Sequence, residues 1–159
     1  LARWGLEALD GLRPSRRRAR QRLRFLEIAA DAADRLGRRE EQRRWLDTLS
    51  DLDFSPERDT LELARVYLLH GRFAAGTGQY GLARGMFRNA VALIESSEGA
   101  DELASEALRR LAAVQIHIGE LEEARPLAQR AVELAQHPPQ EALAHLQLGQ
   151  IELLEDSLE

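Results

Sequence analysis

Apolar residues recur along most of the chain at intervals of three and four, and short clusters of glycine, proline and serine interrupt them. This spacing places apolar side chains on one face of an α-helix, whereas a half-buried strand would alternate at every second residue. No stretch of the chain alternates in that way, so the pattern predicts an all-α protein. The predicted helices cover about residues 2–11, 15–36, 39–51, 56–76, 80–96, 101–118, 121–136 and 140–156.

Prolines and polar residues mark several of the predicted helix starts. Ser55 is predicted to cap one helix, with Pro56 in its first turn. Pro138 and Pro139 predict the start of another, and Asp101 is predicted to cap a third. These signals divide the chain at regular distances and predict a series of similar units.

Three glycines repeat at a fixed spacing. Gly37, Gly78 and Gly119 lie 41 residues apart, and each separates two predicted helices. Glycine adopts the left-handed conformation without steric penalty, so each one predicts the turn of a helical hairpin. Small and bulky apolar residues recur at the same offsets on both sides, where two helices would cross closely. Hairpins that cannot bury their apolar faces alone would stack in series.

The motif around the middle glycine resembles a tetratricopeptide repeat. It comprises Tyr67, Gly71, Ala74, Gly78, Tyr80, Ala83, Phe87 and Ala90.

Weaker copies lie on either side of it. Around Gly119, Ala128 stands where the family usually has an aromatic residue, and around Gly37, Gln42 stands where the family has a small one. His145 and Gly149 repeat the start of the motif. The remaining members of these copies are Leu26, Ala30, Leu46 and Leu49, then Leu108, Leu111, Ala112, Leu121, Ala124 and Ala131, and then Leu148.

The resemblance implies a right-handed α-solenoid of antiparallel helical hairpins, with about three full hairpins and partial repeats at both ends. It divides a single domain, residues 1–159, into a partial repeat 1–13, repeats at about 14–54, 55–98 and 99–137, and a partial repeat 138–159. It also implies a non-catalytic scaffold for protein–protein interaction. The spacing of 41 residues exceeds the family's usual ~34 and resembles the arrays of large bacterial regulators. Because the chain starts at Leu1 rather than Met, we expect it to be a segment of such a protein.

Two patterns resemble catalytic or ligand-binding motifs, and neither predicts an enzyme. Gly76 to Gly81 matches GxGxxG, but that motif holds a dinucleotide only between a strand and a helix, and here helices are predicted on both sides. His137, Glu141 and His145 are spaced by four residues, which offers too few ligands for a closed structural metal site. We therefore predict no catalytic residues, no cofactor and no metal.

The composition favours one cellular compartment and one kind of source organism for the protein. The chain has no cysteine, which favours a reducing compartment such as the cytoplasm. All 22 basic residues are arginine, a bias typical of GC-rich bacterial genes. No segment has the length and apolarity of a membrane span.

Charge is distributed unevenly along the chain. Residues 1–50 carry 13 arginines against 8 acidic residues, and residues 101–159 carry 4 arginines against 12. The arginines crowd between Arg13 and Arg24, where they would oppose the helix dipole. Two explanations stay open: one is contact with nucleic acid phosphates, and the other is pairing with an acidic repeat that lies outside this sequence, or a solvated face. The second is favoured, because the whole chain has a charge of −5 and no aromatic residue separates the arginines.

The resemblance also predicts a binding groove on the first helices of the hairpins. Arg65, Arg72 and Arg109 are candidates to bind a carboxylate of a peptide by paired hydrogen bonds. The array is alternatively a spacer that binds no peptide. The nine predicted groove residues are Arg24, Glu27, Asp31, Arg65, Leu68, Arg72, Arg109, Ala113 and Ile116.

The last predicted helix has leucine or isoleucine on several faces. Because a second helix that would cover it is not apparent in the sequence, we expect this surface to support a homodimer. The apolar residues concerned are Leu143, Leu146, Leu148, Ile151, Leu153 and Leu154.

Overall fold

The computed structural model describes residues 16–157, and over these residues it contains seven α-helices and no strand. The all-α prediction is therefore confirmed. The helices are α1 (Arg16–Arg35), α2 (Arg39–Ser50), α3 (Thr60–Gly76), α4 (Tyr80–Glu95), α5 (Asp101–His117), α6 (Leu121–Glu133) and α7 (Pro138–Asp156).

Six of these helices form three hairpins, α1 with α2, α3 with α4, and α5 with α6, and α7 packs against both α5 and α6. Gly37, Gly78 and Gly119 lie in the three hairpin turns with φ angles of 67°, 76° and 81°. The predicted role of these glycines is confirmed, because an L-residue with a Cβ atom is strained at such angles. The handedness of the solenoid and the limits of its repeats stay predictions.

One predicted helix start and two predicted helix caps are wrong. Helix α3 begins at Thr60 rather than Pro56, because residues 56–58 form a separate turn in which the Ser55 carbonyl accepts the backbone N–H of Asp59 at 2.9 Å. Ser55 is therefore not the cap. Asp101 lies inside the first turn of α5, where Ala100 occupies the cap position. Pro138 begins α7 as predicted. The predicted helix at 2–11 lies outside the described residues.

The core of the middle hairpin is built around the Phe87 ring, which is 1% exposed. A Cβ atom added to Gly71 would lie 2.5 Å from the ring, so glycine is required where α3 crosses α4. Ala83 and Ala90 flank the ring and are fully buried. The sequence-based expectation that small residues mark this crossing is thus confirmed.

Neighbouring hairpins share further apolar clusters. Val66 and Leu69 of α3 pack with Leu46 and Leu49 of α2, which joins the first hairpin to the second. Ile151 of α7 packs in the cluster that contains residues of α5 and α6, and it is fully buried. No helix between residues 16 and 157 is long and apolar enough to cross a bilayer.

Candidate functional site: a groove along the first helices

The first helices α1, α3 and α5 jointly line two adjacent cavities. The smaller has a volume of about 250 Å³ and the larger about 400 Å³, and Arg72 lines both. The smaller is lined by Glu27, Ile28, Asp31, Arg65, Leu68, Leu69, Arg72, Leu103 and Glu106. The larger is lined by Asp34, Arg39, Arg72, Ala75, Gly76, Tyr80, Phe87, Arg110, Ala113, Val114 and His117. Together they form a groove that follows α3 towards its end at Gly76.

Six of the nine predicted groove residues line these cavities, and three do not. Arg24 is exposed on α1 and Arg109 is half-buried on α5, but neither lines either of these two cavities. Ile116 is 8% exposed and packs in the core with Ile151. The six that the structure brings together are Glu27, Asp31, Arg65, Leu68, Arg72 and Ala113.

The α5 side of the groove differs from the predicted one by a rotation of the helix. Glu106, Arg110, Ala113 and His117 line the cavities, at spacings of four, three and four residues. The sequence-based assignment placed Arg109 on this face, one residue away from Arg110. The acidic residue four positions before Arg110 is the signal that was missed, because the Glu106 and Arg110 side chains pair at 3.4 Å along the helix.

In the smaller cavity, arginines of α3 pair with carboxylates of α1. Arg72 lies 2.7 Å from Asp31, and Arg65 lies 3.9 Å from Glu27. Burial raises the pKa of the Glu27 carboxyl, while the positive charge of Arg65 acts in the opposite direction. Acidic side chains outnumber arginines here, since Glu106 also lines this cavity. This half of the groove suits a neutral or basic part of a ligand.

In the larger cavity, the balance of charge is reversed. Arg39, Arg72 and Arg110 line it, and Asp34, which pairs with Arg39, is its one carboxylate. Burial lowers the pKa of Arg110, the carboxylate of Glu106 raises it, and the charges of Arg72 and Arg109 lower it further. The positive charges of Arg72 and Arg109 thus oppose the charge of Arg110, and an anion beside Arg110 would relieve that repulsion.

Aromatic rings form the far wall of the larger cavity. The rings of Tyr80 and His117 stack with their centroids 5.0 Å apart and an angle of 13° between their planes. This stack joins the start of α4 to the end of α5. It gives the basic half of the groove a flat apolar wall, against which a ligand side chain can pack.

Residues 62–137, which span α3 to α6, match the family model described as tetratricopeptide repeat. Over these residues the chain is similar to the tetratricopeptide-repeat family. No curated protein matches it. Tetratricopeptide repeats generally act as non-catalytic scaffolds for protein interaction, and the groove described above lies on the first helices of the repeats.

The sequence motifs that resemble enzyme sites have structural roles in these repeats. Gly76 to Gly81 forms the turn from α3 to α4, where the Thr77 hydroxyl donates to the carbonyl oxygens of Phe73 and Ala74 at 3.0 and 3.1 Å. His145 lies 3.8 Å from Glu141, four residues away on the exposed side of α7. Both observations agree with the interpretations favoured from the sequence.

The arginine-rich start of α1 pairs partly with the next repeat. Arg20 lies 2.6 Å from Glu62 and 3.7 Å from Asp59, at the start of α3. The Asp59 side chain is 4% exposed and that of Arg20 is 51% exposed, so only the carboxylate side of this contact is shielded from water. For Arg20, pairing with the next repeat of the same chain therefore accounts for part of the charge, and the predicted explanation by an acidic repeat outside the sequence is not tested.

Proposed function

We propose that the chain is a scaffold for protein–protein interaction that binds a peptide in the groove on α1, α3 and α5. The observation that supports this most directly is the pair of adjoining cavities, which are lined by first helices and connected through Arg72. The opposite charge balance of the two cavities favours a peptide in one orientation. Its acidic side chain or terminal carboxylate would lie near Arg72 and Arg110, and its neutral or basic part near Glu27 and Glu106.

We also propose that the repeats belong to a larger protein in the cytoplasm. An array of this kind, with arginine as its only strongly basic residue and no cysteine, fits a segment of a larger bacterial regulatory or signalling protein in the cytoplasm. The tetratricopeptide repeats would then recruit a partner protein and leave any chemistry to other parts.

An array of immobilised peptides tests the groove. It would contain peptides with aspartate or glutamate and the same peptides with asparagine or glutamine. We expect the chain to prefer the acidic members, and the Arg72→Ala/Arg110→Ala variant to bind them roughly a hundredfold or more weakly, because two charge-assisted hydrogen bonds of about 1.5–3 kcal/mol each are lost. The binding constants would be measured by fluorescence anisotropy.

The chain offers a matched control for charge. Arg84 and Arg88 pair with Glu120 and Glu123 at 3.0 and 3.3 Å, and they line neither cavity. The Arg84→Ala/Arg88→Ala variant removes the same two charges and should bind as the original chain does. Equal weakening in both double variants would show general electrostatic attraction instead of a groove. An absence of any preference for acidic peptides would contradict the assigned orientation.

A further inference from the structure

Each arginine that lines the groove is paired with a carboxylate that also lines it. The two cavities together contain four arginines and four carboxylates, so these side chains give the groove no net charge. An acidic ligand therefore has to exchange partners with an existing ion pair. The four pairs are Arg39 with Asp34, Arg65 with Glu27, Arg72 with Asp31 and Arg110 with Glu106.

The pair of Arg72 and Asp31 lies where the two cavities meet, since Arg72 lines both. It joins α3 to α1, and its distance of 2.7 Å is that of a charge-assisted hydrogen bond. The Arg72 side chain is 23% exposed, whereas the Asp31 side chain is 41% exposed. The carboxylate is thus the more accessible partner. It can turn towards solvent while the guanidinium group stays in the groove.

This position of the repeat has a different charge in each of the three first helices. Asp31, Arg72 and Ala113 are spaced by 41 residues, and all three line the groove. Ala113 adds no charge from α5. At this position of the repeat, Arg72 is therefore balanced by Asp31 of the preceding repeat.

We propose that Asp31 competes with the ligand for Arg72, so that the acidic group of a bound peptide replaces the Asp31 carboxylate. Asp31 is then a residue that determines specificity within the proposed function, on which this inference rests. A ligand carboxylate can replace Asp31 because it has the same charge and the same two acceptor oxygens, whereas a neutral amide cannot restore the lost ion pair. The number of ion pairs stays the same on binding, so binding to the original chain should depend little on salt.

Asp31→Asn tests the competition, because it keeps the shape of the side chain and removes its charge. The probes are a fluorescein-labelled acidic peptide selected on the peptide array and its counterpart with asparagine or glutamine. We expect the variant to bind the acidic peptide about three- to tenfold more tightly than the original chain does, measured by fluorescence anisotropy. This gain should shrink as salt is added, since binding then forms a new ion pair. Asp31→Glu retains the charge and should bind as the original chain does.

Two comparisons separate this effect from a general change in charge. Glu95→Gln removes one negative charge from a pair with Arg130 at 3.0 Å, and neither residue lines either cavity. Its affinity for the acidic peptide should equal that of the original chain. In an Arg72→Ala background, Asp31→Asn should give no gain, because the arginine for which Asp31 competes is absent.

The results distinguish a failure of the competition from a failure of the groove. If the original chain prefers acidic peptides but Asp31→Asn binds them no more tightly, the competition is wrong and the groove assignment stands. An equal gain in Glu95→Gln, or a gain that persists without Arg72, would also overturn the competition. If neither the original chain nor Asp31→Asn prefers acidic peptides, the proposed function fails and the competition fails with it.

Discussion

Side-chain volume is shared between the two helices of each hairpin at the point where they cross. In the middle hairpin the pair is Gly71 and Phe87, and at the equivalent positions of the next hairpin it is Ala112 and Ala128. The glycine leaves room for a ring, whereas the two alanines together have a much smaller side-chain volume. All four are buried. At Ala128, which departs from the repeat motif, Ile151 of α7 packs in the same buried cluster as Ala112 and Ala128.

This pairing predicts the effect of Gly71→Ala. The added methyl group would meet the Phe87 ring at 2.5 Å, so we expect a loss of about 1–3 kcal/mol in the free energy of unfolding, measured by urea denaturation. Gly85→Ala is the matched control, because a Cβ atom at this helical position meets nothing within 4 Å, and it should stabilise the chain by about 0.5–1 kcal/mol.

The Phe87→Ala background gives the decisive comparison. There the ring is absent, and Gly71→Ala should no longer destabilise the chain. If Gly71→Ala still lowered the free energy of unfolding in the absence of the ring, the methyl group would clash with something other than Phe87.

At the scale of elements, polar side chains supplement the apolar contacts between helices. Ser105 of α5 donates to the Ala131 carbonyl of α6 at 2.7 Å, and both residues are buried. Gln42 of α2 is 4% exposed and accepts a hydrogen bond from Arg39 at 2.7 Å. A polar residue at a normally small position is tolerated in α2 because its amide is hydrogen-bonded where it is buried.

The contact between α2 and α3 predicts a dependence of stability on pH. His70 of α3 is half-buried and hydrogen-bonded to Ser50 of α2 at 3.1 Å. Burial lowers the pKa of His70 below its usual 6.5, against the opposing effect of Asp47. The unfolded chain thus takes up a proton at a higher pH than the folded chain does. The contribution of His70 to stability should therefore decrease as the pH falls below about 6.5.

Urea denaturation at a series of pH values would measure this effect. His70→Gln retains a polar side chain without titrating, so its stability should fall less over the same range. His137→Gln, at an exposed position before α7, should behave as the original chain does. A steeper decrease in His70→Gln would contradict the assigned sign.

Over the whole molecule, the array is held together mainly by contacts between successive hairpins. Helix α7 illustrates this, because Ile151 and the pairing of Arg125 with Glu155 attach it to the α5–α6 hairpin. In such an array, a destabilising substitution should loosen the helix that carries it and the hairpin that contacts this helix, and it should affect more distant hairpins much less.

Hydrogen exchange on Ile151→Ala would measure that spread. A buried isoleucine replaced by alanine costs about 2–5 kcal/mol, so we expect the amides of α7 to exchange much faster. The amides of α3 and α4, which do not contact α7, should change far less. Leu153→Ala, at a position 71% exposed on the same helix, is the control and should have little effect in dilute solution. An equal increase in every helix would show that the array unfolds as one unit.

The amino-acid sequence by itself determined the helices, their hairpin turns and the places where helices cross. These features depend on local energies, namely the three-to-four spacing of apolar side chains, the left-handed conformation of Gly37, Gly78 and Gly119, and the small volume of Gly71. Each can be read from residues close together in the chain. The structure confirms them over residues 16–157.

Only the tertiary structure decided which side chains share the groove and where α3 begins. A rotation of α5 about its axis exchanges Arg109 for Arg110 at the groove, and that rotation is set by packing against α4 and α6. The start of α3 depends on Asp59, whose carboxylate is buried beside Arg20 of another hairpin. Such contacts join residues far apart in the sequence, and their geometry follows from how whole helices pack.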